Sequence, residues 1–184
     1  MEVRPSLTIE TCILAGGLSR RMGRDKSRLR LGRRTMLGHI RGEARELGLP
    51  VRVIRRDAVP RCGPLGGVYT ALKTARAEAV LFLACDMPFV TAALLRAMHR
   101  RLGERDKYLF VRSEDAVGLP FVLRRDALAV VTKQIESGRF SLHELARALK
   151  AKTMRVPPRW RPQLRNINTP GEWARAVRRW NNEP

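Results

Sequence analysis

Apolar positions along the chain switch repeatedly between a strand period and a helix period. Leu7 to Leu14 is a nearly continuous apolar run with β-branched Thr8, Ile9, Thr11 and Ile13, which predicts a buried strand. After Lys26, Leu29 and Leu31 alternate with arginines. Met36, Leu37, Ile40, Ala44 and Leu47 then recur at helical spacing behind the capping residue Thr35, and Gly48 and Pro50 end that helix. Val51–Ile54 predicts a second strand, Gly67 to Arg76 a helix, and Ala79–Ala84 the most buried strand of all. Thr91 caps a helix to Leu102.

Tyr108–Arg112 and Leu119–Leu123 flank a polar turn at Ser113–Asp115 and predict an antiparallel pair. Arg125–Glu136 predicts a helix, and Ser141 with Glu144 has capping-box spacing ahead of another to about Leu149. Met154–Val156 predicts a short strand, and Pro157, Pro158 and Pro162 a loop. Thr169-Pro170-x-Glu172 opens the last helix with a cap, a proline at the first position and an acid. Strand–helix alternation without repeats or linkers predicts one α/β domain over residues 1–184, a three-layer sandwich around a mostly parallel, mixed sheet. A chain of 184 residues buries roughly 70% of its unfolded surface.

Composition narrows the class. No run of about 18 or more apolar residues exists, so no membrane span is expected. Glu10 interrupts the first apolar stretch, which lacks a basic leader and a small-residue cleavage site and so does not read as a signal peptide. Cys12, Cys62 and Cys85 are odd in number, widely spaced and without metal-ligand spacing, as in a reduced cytoplasmic protein. The 37 basic and 17 acidic residues give a net charge of +20. Nucleic acid is not the expected partner, because the 31 arginines and 6 lysines are spread along the whole chain. Aromatic residues, at 5%, offer few stacking platforms. A generally basic surface suits the steering of small anionic substrates.

The densest chemistry follows the first strand. Leu14-Ala15-Gly16-Gly17 lets the backbone turn sharply and approach a ligand with no Cβ in the way, and Arg20, Arg21, Arg24 and Lys26 follow. Exposed N–H groups backed by that charge suit a polyphosphate. The pattern is neither the P-loop, since Arg24 and Asp25 separate Gly23 from Lys26, nor G-x-G-x-x-G. Asp86 follows the most buried strand, with Met87-Pro88 stopping it, which puts at a carboxyl strand end a carboxylate able to hold Mg2+ as a hard oxygen ligand, the alternative being an aspartate that caps the following loop. Gly63, Pro64, Gly66 and Gly67 form a turn into a helix N-terminus, itself an anion site. His39, His99 and His143 all fall in predicted helices away from these motifs.

Residues 14–26 resemble the L-A-G-G-x-S-x-R-M-G-x-D-K pattern of the molybdenum cofactor guanylyltransferases and their MobA-like nucleotidyltransferase relatives. Three further stretches match in order. Asp57-Ala-Val-Pro-Arg-Cys-Gly-Pro-Leu-Gly-Gly67 resembles the family's D-x-x-P-G-x-G-P-L-G-G loop. Leu81-Phe-Leu-Ala-Cys-Asp-Met-Pro88 resembles its C-D-x-P strand end, and Asn166-Ile-Asn-Thr-Pro170 its late N-x-N-T-P. The likeness implies a Rossmann-like fold of the nucleotide-diphospho-sugar-transferase type. It also implies nucleotide binding by Leu14, Ala15, Gly16, Gly17, Lys26, Asp57, Gly63 and Asp86, and catalytic roles for Lys26, Arg21 and Asp86. Asp86 and Asn168 would hold Mg2+, and Asn166 and Asn168 would face the acceptor. Asp57 would read guanine N1–H and N2–H, the alternative being a loop aspartate bonding its own backbone. Asn168 would offer either its carbonyl to the metal or its amide to the second substrate.

The implied reaction transfers GMP from GTP to the phosphate of molybdopterin, with pyrophosphate leaving, and delivers product to a molybdoenzyme or its chaperone. A phosphate monoester dianion is already an ionised nucleophile, so no histidine base is required. The alternatives are CTP with molybdopterin, guanylylation of a cobinamide phosphate, or a non-catalytic nucleotide- or RNA-binding relative. Relatives using CTP tend to carry L-A-A-G, so Gly16-Gly17 favours guanine. The chain departs from the family at Val53-Ile-Arg-Arg-Asp57, which lacks a nucleotide-contacting asparagine, and at Leu119-Pro120-Phe121, where relatives tend to have His or Gln before Pro-Leu.

Overall fold

The computed structural model describes residues 7–16, 26–103, 106–113 and 116–182. In chain order they form β1 (Ile9–Leu14), β2 (Arg30–Leu31), β3 (Arg34–Thr35), α1 (Met36–Arg45), β4 (Val51–Ile54), α2 (Pro64–Lys73), β5 (Ala79–Ala84) and α3 (Ala92–Arg101). Then come β6 (Tyr108–Ser113), β7 (Ala116–Arg124), α4 (Leu128–Glu136), α5 (Leu142–Ala148), β8 (Lys152–Arg155) and α6 (Pro170–Asn182). Short 3-10 turns occupy Lys26–Arg28, Arg125–Ala127 and Pro158–Leu164.

Six strands make one sheet in the order β4-β1-β5-β7-β6-β8, and β2-β3 form a separate two-stranded ribbon. β1 pairs parallel with β4 and β5, and β6 with β8, whereas β7 runs antiparallel to both β5 and β6. Five strands therefore share one direction, the mixed but mostly parallel sheet that the alternation predicts. Side chains alternate across it as strand geometry requires. Ile9, Ile13, Leu81 and Leu83 pack with Leu37, Ile40, Leu94 and Met98 of α1 and α3. Cys12, Val80, Phe82 and Phe121 pack on the other face with Leu65 and Val68 of α2, Val131 of α4 and Leu145 of α5. Phe121 stacks between Phe82 and Phe110, with ring centroids 4.9 and 4.6 Å apart.

The helix starts at Thr35, Thr91 and Ser141 are capped as expected: each hydroxyl accepts the backbone N–H three residues on. Among the elements that differ from those expected, three bear on the site or its frame. α2 begins at Pro64 rather than Gly67, because proline has the φ of a first helical residue and needs no N–H partner there, and because Gly63 takes φ +53° as the cap. β7 begins at Ala116 rather than Leu119. The proline segment after β8 winds into a 3-10 turn instead of an open loop.

A partly buried ion pair ties β1 and β4 to α2. Arg52 Nη2 donates to Glu10 Oε1 at 2.6 Å and to the Ala71 carbonyl at 3.1 Å, with Glu10 only 3% exposed. At the same N-terminal end of β1, surface chemistry does similar work. Glu78 Oε2 accepts the Thr8 N–H at 2.9 Å and the Thr8 hydroxyl at 3.2 Å, and these bonds hold its carboxyl below the usual glutamate range. The native state then binds fewer protons than the unfolded chain across that window, so the stabilisation is complete above the unfolded glutamate pKa and fades as pH falls through the lower folded value. Glu78→Gln is therefore expected to lower Tm at neutral pH, and the gap to wild type to close in acid; a gap independent of pH in parallel melting curves would refute this.

Candidate functional site

The carboxyl ends of β1 and β5 set the frame. The Ala15 N–H donates to the Ile54 carbonyl at 2.8 Å and the Cys85 N–H to the Leu14 carbonyl at 3.0 Å, so β4, β1 and β5 end level with one another. The chain leaves β1 through α1 on one face and leaves β4 through α2 on the other, so the strand order reverses here, the usual position of a ligand crevice in an α/β sheet. The β5–β7 ladder ends at Phe82↔Phe121, two residues short of the end of β5. Pro120, next on β7, has no N–H to continue it. Asp86 lies just beyond this opening.

Two clusters flank the glycine turn. In the first, Asp57 sits against the start of α2. A Cβ built on Gly16 would lie 3.0 Å from Asp57 Oδ1, and one on Gly66 3.0 Å from Asp57 Oδ2, so only glycines leave room for this carboxylate. Gly67 brings α2 onto Leu14, whose Cδ2 would be 3.0 Å from a Cβ there. Burial raises the Asp57 carboxyl above the usual aspartate range. Gly16 is exposed beside it, Leu14 and Ala15 are half-buried, and Gly63 is exposed as the cap of α2.

The second cluster joins three distant segments. The Ile167 N–H donates to the Asp86 carbonyl at 2.9 Å and seats residues 166–168 against the end of β5. Lys26 Nζ donates to Asn168 Oδ1 at 2.6 Å. Asp86 Oδ1 is buried with no hydrogen-bond partner among the described residues. Burial pushes its carboxyl up, the Lys26 ammonium pulls against that rise, and the negative charge of Glu172 adds to it. No group of three or more His, Cys, Asp or Glu able to hold a metal occurs among the described residues. The free oxygen of Asp86 fits Mg2+, which keeps several waters and binds through one or two carboxylates plus substrate phosphates, whereas Asn168 Oδ1, expected from the sequence to join it, is already taken by the Lys26 ammonium.

The structure thus gathers Leu14, Ala15, Gly16, Asp57 and Gly63 on one side and Lys26, Asp86 and Asn168 on the other. Asn166 is exposed on the same segment as Asn168. Gly17, Arg20, Arg21 and Arg24 lie outside the described residues. Glu172, in the sequence a helix-start signal alone, has the spacing of a capping box from Thr169 and accepts the backbone N–H of Asn168. The three cysteines are buried and joined in no disulfide, and burial pushes the Cys12 thiol up to about 12, which makes it inert packing. Among the described residues no helix is long and apolar enough to cross a membrane.

Comparison with known proteins identifies the family. A family model for the MobA-like NTP transferase domain matches residues 11–56 and 43–153. The probable molybdenum cofactor guanylyltransferase of Opitutus terrae is 34% identical over 91% of this chain and 94% of its own length. The molybdenum cofactor guanylyltransferase of Xanthomonas euvesicatoria is 32% identical over 90% of this chain and 92% of its own. In three dimensions the chain resembles the crystal structure of molybdopterin-guanine dinucleotide biosynthesis protein A from Archaeoglobus fulgidus, with TM-score 0.69 and 18% identity over 94% of this chain and 98% of that one. By sequence and by fold, the chain belongs to the MobA-like NTP transferase family and is a nucleotidyltransferase.

Proposed function

We propose that this chain is a cytoplasmic, single-domain enzyme that transfers GMP from GTP to the terminal phosphate of molybdopterin. The acceptor oxygen bonds to the α-phosphorus, the bond to the β-phosphate breaks, and pyrophosphate leaves. The observation that supports this best is the Asp86 oxygen buried at a carboxyl strand end, with no hydrogen-bond partner among the described residues and with the Lys26 ammonium acting on it. The relatives' names supply the guanine and the acceptor, which the product passes on to a molybdoenzyme or its chaperone.

Each residue then has a task. Gly16, Gly17 and the first turn of α2 present N–H groups to the phosphates. Lys26 places a cation on the triphosphate, with Arg21 nearby in sequence, and the carboxylate of Asp57 accepts the two guanine N–H groups. Asp86 would hold Mg2+, whose charge would offset that of the departing pyrophosphate, while Asn168 gives its oxygen to Lys26. The chain's own contribution is alignment and fixed positive charge, which suffices where the nucleophile is already ionised.

Thermal shift with GTP, CTP, ATP and UTP in Mg2+ tests this reading. Saturating GTP is expected to raise Tm by roughly 5–10 °C, from the stabilisation of a native-state ligand at about a hundred times its Kd. Lys26→Ala should weaken GTP affinity by roughly tenfold, the value of one charge-assisted contact in a partly closed site. A larger shift with CTP would move the base assignment, and no shift with any triphosphate would leave a non-catalytic relative.

A further inference from the structure

The first turn of α6 fastens the second cluster together. Glu172 Oε2 accepts the N–H of Thr169 at 2.9 Å, and the Thr169 hydroxyl accepts the Glu172 N–H at 3.2 Å, the reciprocal bonds of a capping box. The same oxygen also accepts the N–H of Asn168 at 2.7 Å, one residue before the cap. These bonds hold the Glu172 carboxyl below the usual glutamate range, so it is a carboxylate at neutral pH.

That additional bond does more than start a helix. Ile167, only 2% exposed, is clamped by its core contacts and by its bond to the Asp86 carbonyl. With Glu172 gripping Asn168 from the other side, the Asn168 backbone is fixed at both ends. Its side chain keeps two rotatable bonds, and its carbonyl oxygen receives the Lys26 ammonium at 2.6 Å. Lysine has a long flexible stem and a point charge with no directional fork. The aim of Lys26 is therefore decided by where Asn168 Oδ1 stands, and that is decided by Glu172.

We propose that Glu172 is a positioning residue: through Asn168 it holds Lys26 where the triphosphate is bound. This deepens the reading above and rests on it. The carboxylate acts by its hydrogen bonds, so an uncharged acceptor of the same shape does the same work.

Calorimetric titration of GTP into the whole chain tests this without an acceptor substrate. Glu172→Ala is expected to weaken GTP affinity by about 3–10-fold, as an unheld lysine loses part of its contact. Glu172→Gln, which keeps an acceptor oxygen, is expected to bind within about 2-fold of wild type. Thr169→Ala removes the cap hydroxyl and destabilises α6 but leaves the Glu172–Asn168 bond; it too should bind within about 2-fold, which separates positioning from helix stability. In a Lys26→Ala background, Glu172→Ala should cost nothing further, since residues acting through one another are not additive. Wild-type affinity in Glu172→Ala, failure of Gln to rescue, or penalties that multiply in the double variant would each overturn the positioning role while GTP binding by wild type still stands. Absence of GTP binding by wild type would instead overturn the parent reading, and the positioning role with it.

Discussion

Replacing Asp86 by asparagine is expected to lower turnover by about 10²-fold or more while GTP binding stays measurable. Asparagine preserves the shape and one carbonyl oxygen at the end of β5 but removes the charge. Asp86 Oδ1 is buried without a hydrogen-bond partner among the described residues, an arrangement that costs folding energy unless a ligand compensates it. Burial already raises the Asp86 carboxyl, and Lys26 opposes that rise. Asparagine therefore relieves a strained burial, and the variant should be at least as stable as wild type. Lost activity with unchanged or higher Tm is the signature of a site residue, since a structural cap would lose both. Charge grows on the departing pyrophosphate only as the bond breaks, so the deficit falls on turnover more than on ground-state binding. Pyrophosphate release with molybdopterin, GTP and Mg2+ at saturating nucleotide is the measurement. Turnover within a few-fold of wild type would reduce Asp86 to a structural residue and sink the mechanism.

Legibility of the fold from sequence followed the range of the forces involved. β1, β5, α1 and α3 were readable because apolar period and capping hydroxyl lie within a few residues of each other. The β2–β3 ribbon was not, since two residues per strand carry no period. Nor was the insertion of β7 between β5 and β6, which depends on pairing across some forty residues. The start of α2 was misplaced because the glycines at 66 and 67 resemble a helix boundary, whereas they lie inside the helix to admit Asp57.

The candidate site divides the same way. Asp86 was visible as a carboxylate at the end of an apolar strand, a purely local pattern. Lys26 and Asn168 were visible as residues, but the bond joining them spans 142 positions and no local signal encodes it. Pairing Asn166 with Asn168 was a matter of motif. The structure gives them different settings, since the buried Ile167 between them seats Asn168 against the cluster and leaves Asn166 exposed. Glu172 had a local signal, its three-residue spacing from Thr169, yet that spacing says nothing about the extra bond to Asn168.

Two identical substitutions should have opposite effects on stability and so test the packing of α2 on the Asp57 loop. In a helix, Gly→Ala gains about 0.5–1 kcal/mol by reducing the freedom of the unfolded chain. At Gly42 of α1 the nearest obstacle to a new Cβ is Arg34 Nη1 at 3.1 Å, the far end of a flexible side chain that can swing aside. Gly42→Ala is therefore expected to raise Tm by roughly 1–4 °C. At Gly66 the new Cβ would lie 2.6 Å from the Val59 carbonyl oxygen, 3.0 Å from Asp57 Oδ2 and 3.1 Å from Asp57 Cβ. Two of those three atoms are a backbone oxygen and the root of a side chain, neither of which can yield without moving the loop. Overpacking of this kind costs about 1–3 kcal/mol, which outweighs the helix gain, and Tm should fall by roughly 3–6 °C. Because two of the displaced atoms belong to Asp57, whose carboxylate is assigned to the base, Gly66→Ala should also weaken GTP binding, an effect Gly42→Ala lacks. Melting curves and GTP titrations on the two variants decide it: if Gly66→Ala gains stability as Gly42→Ala does, Asp57 is not wedged against α2, and its role in reading the base loses its structural support.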